Sequence, residues 1–366
     1  MFKSMDVSSK HIAVICNYEL LEDRIGGMDY FFWAFNESCL NNNITVDWFF
    51  PNVATHGDYF KFNIIPANNL SLEQSFILHN ERQTLQFSHI ITHFVELCTS
   101  FYSEVEKLQS AKIIAVDHNP RPLGGYSLKK RFKKRVKGML YSKYINQFIG
   151  VSEYTSREIL KDFGSFLKSK TQTIYNGVLI DEIIPKTSER KKINPKFLVV
   201  SHLRYSKGIQ DLIKAVNLLS ETIKVGLTID VFGDGPYKSE LLELVKRSKL
   251  ESVFNFKGSQ PYINTVYQNY DYLIQPTYME CFSLSILESL AANIPVITTS
   301  VGGNTEAINN GVNGFVFETK NSKSLSNLLT EIIRGEKRIE GNTRTLIENR
   351  FSIDIMVKNH IKLVNS

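Results

Sequence analysis

Short runs rich in β-branched and aromatic residues alternate with helical patterns along the whole chain, and that alternation admits few folds. In the first half the runs fall near Ile12–Cys16, Ile44–Phe49, His89–Thr92, Lys112–Val116 and Gln147–Val151, with helix-like stretches such as Met28–Leu40, Leu72–Gln86 and Ser127–Ile145 between them. In the second half they fall near Phe197–Ser201, Thr228–Phe232, Val253–Lys257, Tyr272–Gln275, Pro295–Thr299 and Gly314–Phe317. Alternating β and α elements imply a parallel sheet covered by helices on both faces. FLVVS and IPVITT are apolar almost throughout, as strands buried on both faces are. At roughly 150 residues per domain, 366 residues make two such domains. Asp181–Lys196, DEIIPKTSERKKINPK, is charged, carries two prolines and has no period, so it reads as a linker. The expectation is an α/β chain of two Rossmann-like, doubly wound domains at 1–180 and 197–349, with a linker at 181–196 and a helical tail at 350–366. Such sheets bind ligands at the carboxyl ends of their strands, which places the expected site in a cleft that the two domains face.

Composition closes off other classes. The chain is 43% hydrophobic and 22% charged, ordinary for a soluble globular protein. No apolar run reaches the ~18 residues that span a bilayer. The first twenty residues lack the apolar core of a signal peptide, so a cytoplasmic address is the default expectation. Cys16, Cys39, Cys98 and Cys281 form no C-x-x-C pair, which leaves neither a zinc site nor a redox motif in view.

The motifs with chemical content lie just after strands. In VSHLRYSKGIQDLIKAV, Arg204 and Lys207 occupy a strand-to-helix turn that suits a diphosphate, because helix N-termini attract anions and the two cations add a fork and a point charge. The plain alternative is two solvated surface cations. In DVFGDGPYKSE, Gly233 and Gly235 make a tight turn and Pro236 fits a first helical position. The strongest stretch runs from Tyr270 to Ile308, with Glu280 on a loop, Glu288 early in the apolar helix SLSILESLAA, and Val301-Gly302-Gly303 followed by Glu306. Two carboxylates eight apart can face one strand-end crevice and accept hydrogen bonds from sugar hydroxyls. A charge inside so apolar a helix is costly without a partner.

In the first half, Arg24-Ile25-Gly26-Gly27-Met28 opens a helix, where a Gly-Gly pair lets backbone N–H groups approach a phosphate or sugar. His118 follows the strand KIIAV and suits either a hydroxyl contact or proton transfer, with a purely structural role equally open. Thr155 with Glu158 reads as a capping box, with Gly164 as the stop. Arg121–Lys143 carries nine cations and no acid, with Leu128, Phe132, Val136, Met139, Leu140 and Tyr144 at helical spacing. That is a basic amphipathic helix, fit either for an anionic membrane surface through Lys129–Lys143 or for a core with a solvated cationic back. No binding module supports nucleic acid.

Taken together, the Arg204/Lys207 turn, the VFGDGP turn and Glu280-x7-Glu288 with its GG-x-x-E tail resemble the retaining glycosyltransferases of family 4 with GT-B architecture, over residues 26 to about 317. The resemblance implies a transferase that moves a sugar from a nucleotide-sugar donor, UDP-sugar favoured, to a glycan or lipid-linked acceptor in surface-polysaccharide biosynthesis. It implies that Arg204 and Lys207 neutralise the diphosphate, that Glu288 holds the ribose, and that Glu280 binds the donor sugar. Phe282, Ser283 and Leu284 would offer backbone N–H groups, with Gly233 at the same strand ends. Gly26 and Gly27 would close over the phosphates, and His118 would contact the donor sugar and help catalysis. The tail helix would return to the first domain. No D-x-D motif is present, which matches a metal-independent enzyme with no cofactor. The family usually has Gly where this chain has Cys281, Ser283 and Asn293. Two other readings are a nucleotide-sugar epimerase of the same architecture and a non-catalytic sugar-nucleotide-binding partner.

Overall fold

The computed structural model describes residues 10–22, 25–82 and 86–365. Arg24 and the sequence before Lys10 lie outside the described residues, as does part of the stretch read as the end of the Leu72–Gln86 helix. The chain divides into two units: 1–119, 126–175 and 356–366 form the first, and 120–125 with 176–355 form the second.

In the first unit the described strands are β1 (Lys10–Cys16), β2 (Ile44–Phe50), β3 (Asn63–Pro66), β4 (His89–His93), β5 (Lys112–Asp117), β6 (Gln147–Gly150) and β7 (Thr171–Thr173). They make one parallel sheet in the order β3-β2-β1-β4-β5-β6-β7. Ile12 to Cys16 are wholly buried, as a central strand with helices on both faces requires. One face is packed by Ile15, Phe49, Phe76, Ile90 and Phe148. Phe31, Phe32, Phe35, Trp48 and Phe50 form an aromatic cluster. The tail helix Ile353–Asn365 supplies residues 356–365 to this unit, where Lys10 Nζ donates to the Val364 carbonyl at 2.8 Å and the His360 ring lies 4.8 Å from Phe31.

In the second unit β8 (Phe197–Val200), β9 (Ile229–Phe232), β10 (Phe254–Gly258), β11 (Tyr272–Gln275), β12 (Val296–Thr299) and β13 (Gly314–Phe317) form a parallel sheet in the order β10-β9-β8-β11-β12-β13. The order reverses between β8 and β11, which is the switch point where such sheets open for a ligand. Residues 181–196 do not hang free. Asp271 accepts the backbone N–H groups of Lys191 and Lys196, and Lys186 Nζ lies 3.4 Å from it.

Three local expectations are corrected. The capping residue of helix Glu153–Phe163 is Ser152, whose Oγ accepts the Thr155 N–H at 3.1 Å; Thr155 is the third helical residue and is buried. Gly164 does end that helix. Pro236 precedes its helix, which runs Lys238–Arg247. The edge strands β3 and β7 went unread.

Candidate active site

The Arg204/Lys207 turn follows β8 and closes with a short 3-10 turn, Tyr205–Lys207. Gly208 then caps the helix Ile209–Asn217 at φ +72°. A Cβ there would stand 1.8 Å from the Pro276 carbonyl oxygen, so only glycine lets this turn lie on the end of β11. The Tyr278 N–H donates to the Ser206 carbonyl at 2.7 Å and seals the contact. Lys207 is thereby delivered to the other loop, where Nζ sits 2.7 Å from Glu280 Oε2, both side chains partly buried. Arg204 is exposed and has no ion pair among the described residues. His202, on the same turn, is a further cation-capable side chain that the sequence reading passed over.

The Glu280 loop is held from behind. Gly302, at φ +64°, packs its α-carbon against the Glu280 carbonyl, where a Cβ would come within 2.0 Å. The Gly303 N–H donates to the Cys281 carbonyl at 2.9 Å, and Thr299 Oγ1 donates to the Thr277 carbonyl at 2.7 Å. The Gly-Gly turn after β12 is thus a buttress for Glu280.

Helix Leu284–Ala291 starts beside this loop with Ser283 as its N-cap. Its first amides, beginning at Leu284, have no intrahelical acceptor and carry the positive end of the helix dipole. Gln275 Nε2 bonds Ser283 Oγ at 2.6 Å and Ser285 Oγ at 3.1 Å, which fixes the start of the helix. Ser283 has φ −78°, an ordinary value, so no glycine is needed there. Asn293 does occupy the left-handed region, at φ +59°. Asparagine tolerates that region, and here its side chain also accepts from the Thr343 N–H and donates to the Lys186 carbonyl.

Glu288 sits one turn into the helix, and its Oε2 accepts the Tyr267 hydroxyl proton at 2.8 Å. Burial raises its carboxyl above the ordinary carboxylate range, and the Tyr267 bond offsets part of that. A raised carboxyl means the ionised form costs the fold stability once pH passes the unfolded value near 4.5. Glu288→Gln should therefore raise the thermal midpoint at pH 7 while weakening nucleotide binding by about tenfold or more. A lowered midpoint with unchanged nucleotide affinity would show that Glu288 is structural.

Gly233 ends β9, and its N–H is taken by the Gly258 carbonyl at 2.9 Å, so that amide serves the fold. Phe282 and Ser283 are buried. In the first unit, Gly26 caps helix Gly27–Asn41 and donates its N–H to Asp29 Oδ2 at 2.9 Å. Asp29, wholly buried, also accepts the hydroxyls of Tyr18 and Tyr59. It organises this helix start, and its place three residues after Gly26 was the signal available in the sequence.

His118 follows β5 and is buried. Its Nε2 lies 3.0 Å from His93 Nδ1, and its ring stacks on Phe94 at 4.2 Å. Burial pushes the His118 imidazole down to about 3, against the opposing pull of Asp117. At neutral pH it is an uncharged hydrogen-bonding ring, which suits a hydroxyl contact better than an acid. His93 was not singled out in the sequence.

Among the described residues no group of three or more His, Cys, Asp or Glu side chains is arranged to hold a metal ion. No described helix is long and apolar enough to cross a membrane.

Residues 180–349 match the family described as Glycosyl transferases group 1. The match falls within the second unit. The whole chain has the GT-B fold: it superposes on HepE of Anabaena, solved in complex with UDP-glucose, with a TM-score of 0.74 at 17% identity, covering 97% of this chain and 99% of that one. An uncharacterised glycosyltransferase of Methanocaldococcus jannaschii is 27% identical over 233 residues, 59% of each chain. The poly(glycerol-phosphate) alpha-glucosyltransferase of Bacillus subtilis is 23% identical over 309 residues, 76% of this chain and 46% of that one. The chain thus spans about half the length of the curated relatives it matches. The matched residues include Arg204, Lys207, Gly233, Glu280, Phe282, Ser283, Leu284 and Glu288.

Proposed function

We propose that the protein is a retaining glycosyltransferase that moves a sugar from a nucleotide-sugar donor to a glycan or lipid-linked acceptor in surface-polysaccharide biosynthesis. The observation that carries this reading is the Lys207–Glu280 pair beside the start of helix Leu284–Ala291. A diphosphate entering here meets the Lys207 ammonium and the helix amides, both of which stabilise the charge that grows as the sugar–phosphate bond breaks. Taking Lys207 as its counter-ion, it releases Glu280 to accept hydrogen bonds from sugar hydroxyls. Arg204 adds a second cation on the same turn, and Glu288 accepts from the ribose. The family resemblance assigns Gly26, Gly27 and the neutral His118 to the same donor. With cations on the protein, turnover needs no metal and persists in EDTA. The solved complex of HepE supports UDP as the base carrier. The test is nucleotide release from UDP-, GDP-, ADP- and TDP-sugars. Slow hydrolysis of one donor supports the reading; no binding of any donor would end it.

The same proposal places the protein on the cytoplasmic face of an anionic membrane. Helix Leu128–Tyr141 does not turn its apolar stripe to a core: Leu128 is 80% exposed, Phe132 72% and Met139 65%. The helix is held by Gly138, which packs on the Phe163 carbonyl, and by Lys134, whose Nζ lies 3.1 Å from the buried Asp162. Lys129, Lys130, Arg131 and Lys133 flank the exposed stripe. Anionic lipid attracts each such cation by ~1 kcal/mol. Neutralising those four should lower binding to phosphatidylglycerol vesicles by about a hundredfold or more without unfolding the chain. Unchanged vesicle sedimentation would remove the membrane from the reading.

A further inference from the structure

A cavity lies in the second unit, with Tyr205 of the Tyr205–Lys207 turn in its wall. It has a volume of about 510 Å³, within the range of small-ligand sites, and neither Lys207 nor Glu280 lines it. Its wall is aromatic. The Tyr205 ring meets Tyr237 at 5.6 Å and Tyr278 at 5.7 Å between centroids, both edge-on. Tyr205 is 58% exposed, a large ring left in water. Tyr278 is fixed from below: its hydroxyl donates to the buried Asp211 at 2.6 Å and accepts from Gln210 Nε2 at 2.9 Å.

The charges around the wall balance. Asp211, Glu240 and Glu243 face Lys214, Arg247 and Lys320. Arg247 pairs with Glu243, and Lys214 lies 3.9 Å from Asp211. Glu240 and Lys320 remain without an ion pair among the described residues. Lys320 holds a left-handed backbone, φ +59°, and its ammonium lies 5.3 Å from the centre of the Tyr278 ring. The Lys320 ammonium thus caps the aromatic wall through a cation–π contact.

The lining selects a chemistry. A polyanion would gain no net attraction from a wall whose three carboxylates offset its three cations, and a purely apolar ligand would strip water from Glu240 and Lys320 without replacing it. A pyranose presents a face of C–H groups to a tyrosine ring and a rim of hydroxyls that both donate to a carboxylate and accept from an ammonium. We propose that this cavity is a second carbohydrate-binding site that grips a neutral oligosaccharide chain, separate from the donor site. The inference goes beyond the transferase reading, since it concerns binding without turnover.

Calorimetric titration of the full chain tests it, with maltohexaose, chitohexaose and the polyanionic hexagalacturonate as probes and UDP as a control for the donor site. One of the two neutral chains should bind saturably, hexagalacturonate should not, and UDP should not compete. Tyr237→Ala should weaken that binding by about tenfold. Glu240→Gln should also weaken it, and both variants should keep the wild-type UDP affinity. Absence of binding by both neutral chains, competition by UDP, or wild-type affinity in both variants would overturn the proposal.

Discussion

Lys207→Ala should lower sugar transfer by about 10²–10³-fold at saturating donor, the loss seen when one preorganised donor to a developing anion is removed. The physical case rests on where Lys207 stands. Its ammonium is 2.7 Å from Glu280, which stands four residues before the start of helix Leu284–Ala291, so it is already oriented before a diphosphate arrives. Both partners are partly solvated, at 23% and 16% exposure, so removing the cation leaves Glu280 a route to water and the fold intact. Glu280→Ala should cut the rate on a similar scale. If the pair acts as a unit, the double variant should be little worse than either single one. Initial rates of nucleotide release, with and without acceptor, make the measurement. A wild-type rate in Lys207→Ala would remove the diphosphate role from this turn and the assignment of the site with it.

Acid should destabilise the first unit steeply below pH 6.5. His89, His93, His118 and His360 are all buried there, and all four are held neutral, His89 at about 4 through burial and the nearby Lys10 and Lys112. Burial pushes His118 down to about 3 and His360 to about 4, and takes His93 well below its ordinary value of 6.5. His360 Nδ1 donates to the Met356 carbonyl at 2.9 Å, which opposes the shift only in part. Below pH 6.5 the unfolded chain takes up protons at these rings and the folded chain does not. Stability is therefore complete above pH 6.5 and is lost as pH falls toward the folded values. Each ring costs ~1.4 kcal/mol per pH unit across that window, so four together cost about 6 kcal/mol at pH 5.5. A net stability of roughly 5–15 kcal/mol makes that a large fraction. Urea midpoints at pH 7.5 and 5.5 should differ accordingly, and His360→Phe should remove about a quarter of the difference. A midpoint that does not move would mean that the rings find protons without unfolding.

All six strands of the second unit were legible in the sequence to within a residue or two: most are apolar runs buried on both faces, and the edge strand Phe254–Gly258 keeps an apolar start. The edge strands of the first sheet were not. Asn63–Pro66 ends in a proline and Thr171–Thr173 is wholly polar, and each is held by pairing along one side only. Edge strands are short and polar to discourage further pairing, which erases the pattern that would announce them.

The chemistry of Lys207, Glu280 and Glu288 was visible from residue type and from position after strands. The meeting of Lys207 with Glu280 was not. Lys207 and Glu280 are 73 residues apart, and what joins them is the fit of two glycines, Gly208 on the Pro276 carbonyl and Gly302 on the Glu280 carbonyl. His93 gave no signal of its own. The parallel register sets it opposite Val116, which brings it beside His118 two residues later. The basic helix shows the same division. Its spacing of Leu128, Phe132, Met139 and Leu140 is the same for a buried stripe and an exposed one. Periodicity states which residues share a face, and local sequence is enough to set it. Which way that face turns depends on contacts far along the chain, here Gly138 against Phe163 and Lys134 against Asp162, and those exist only once the fold has formed.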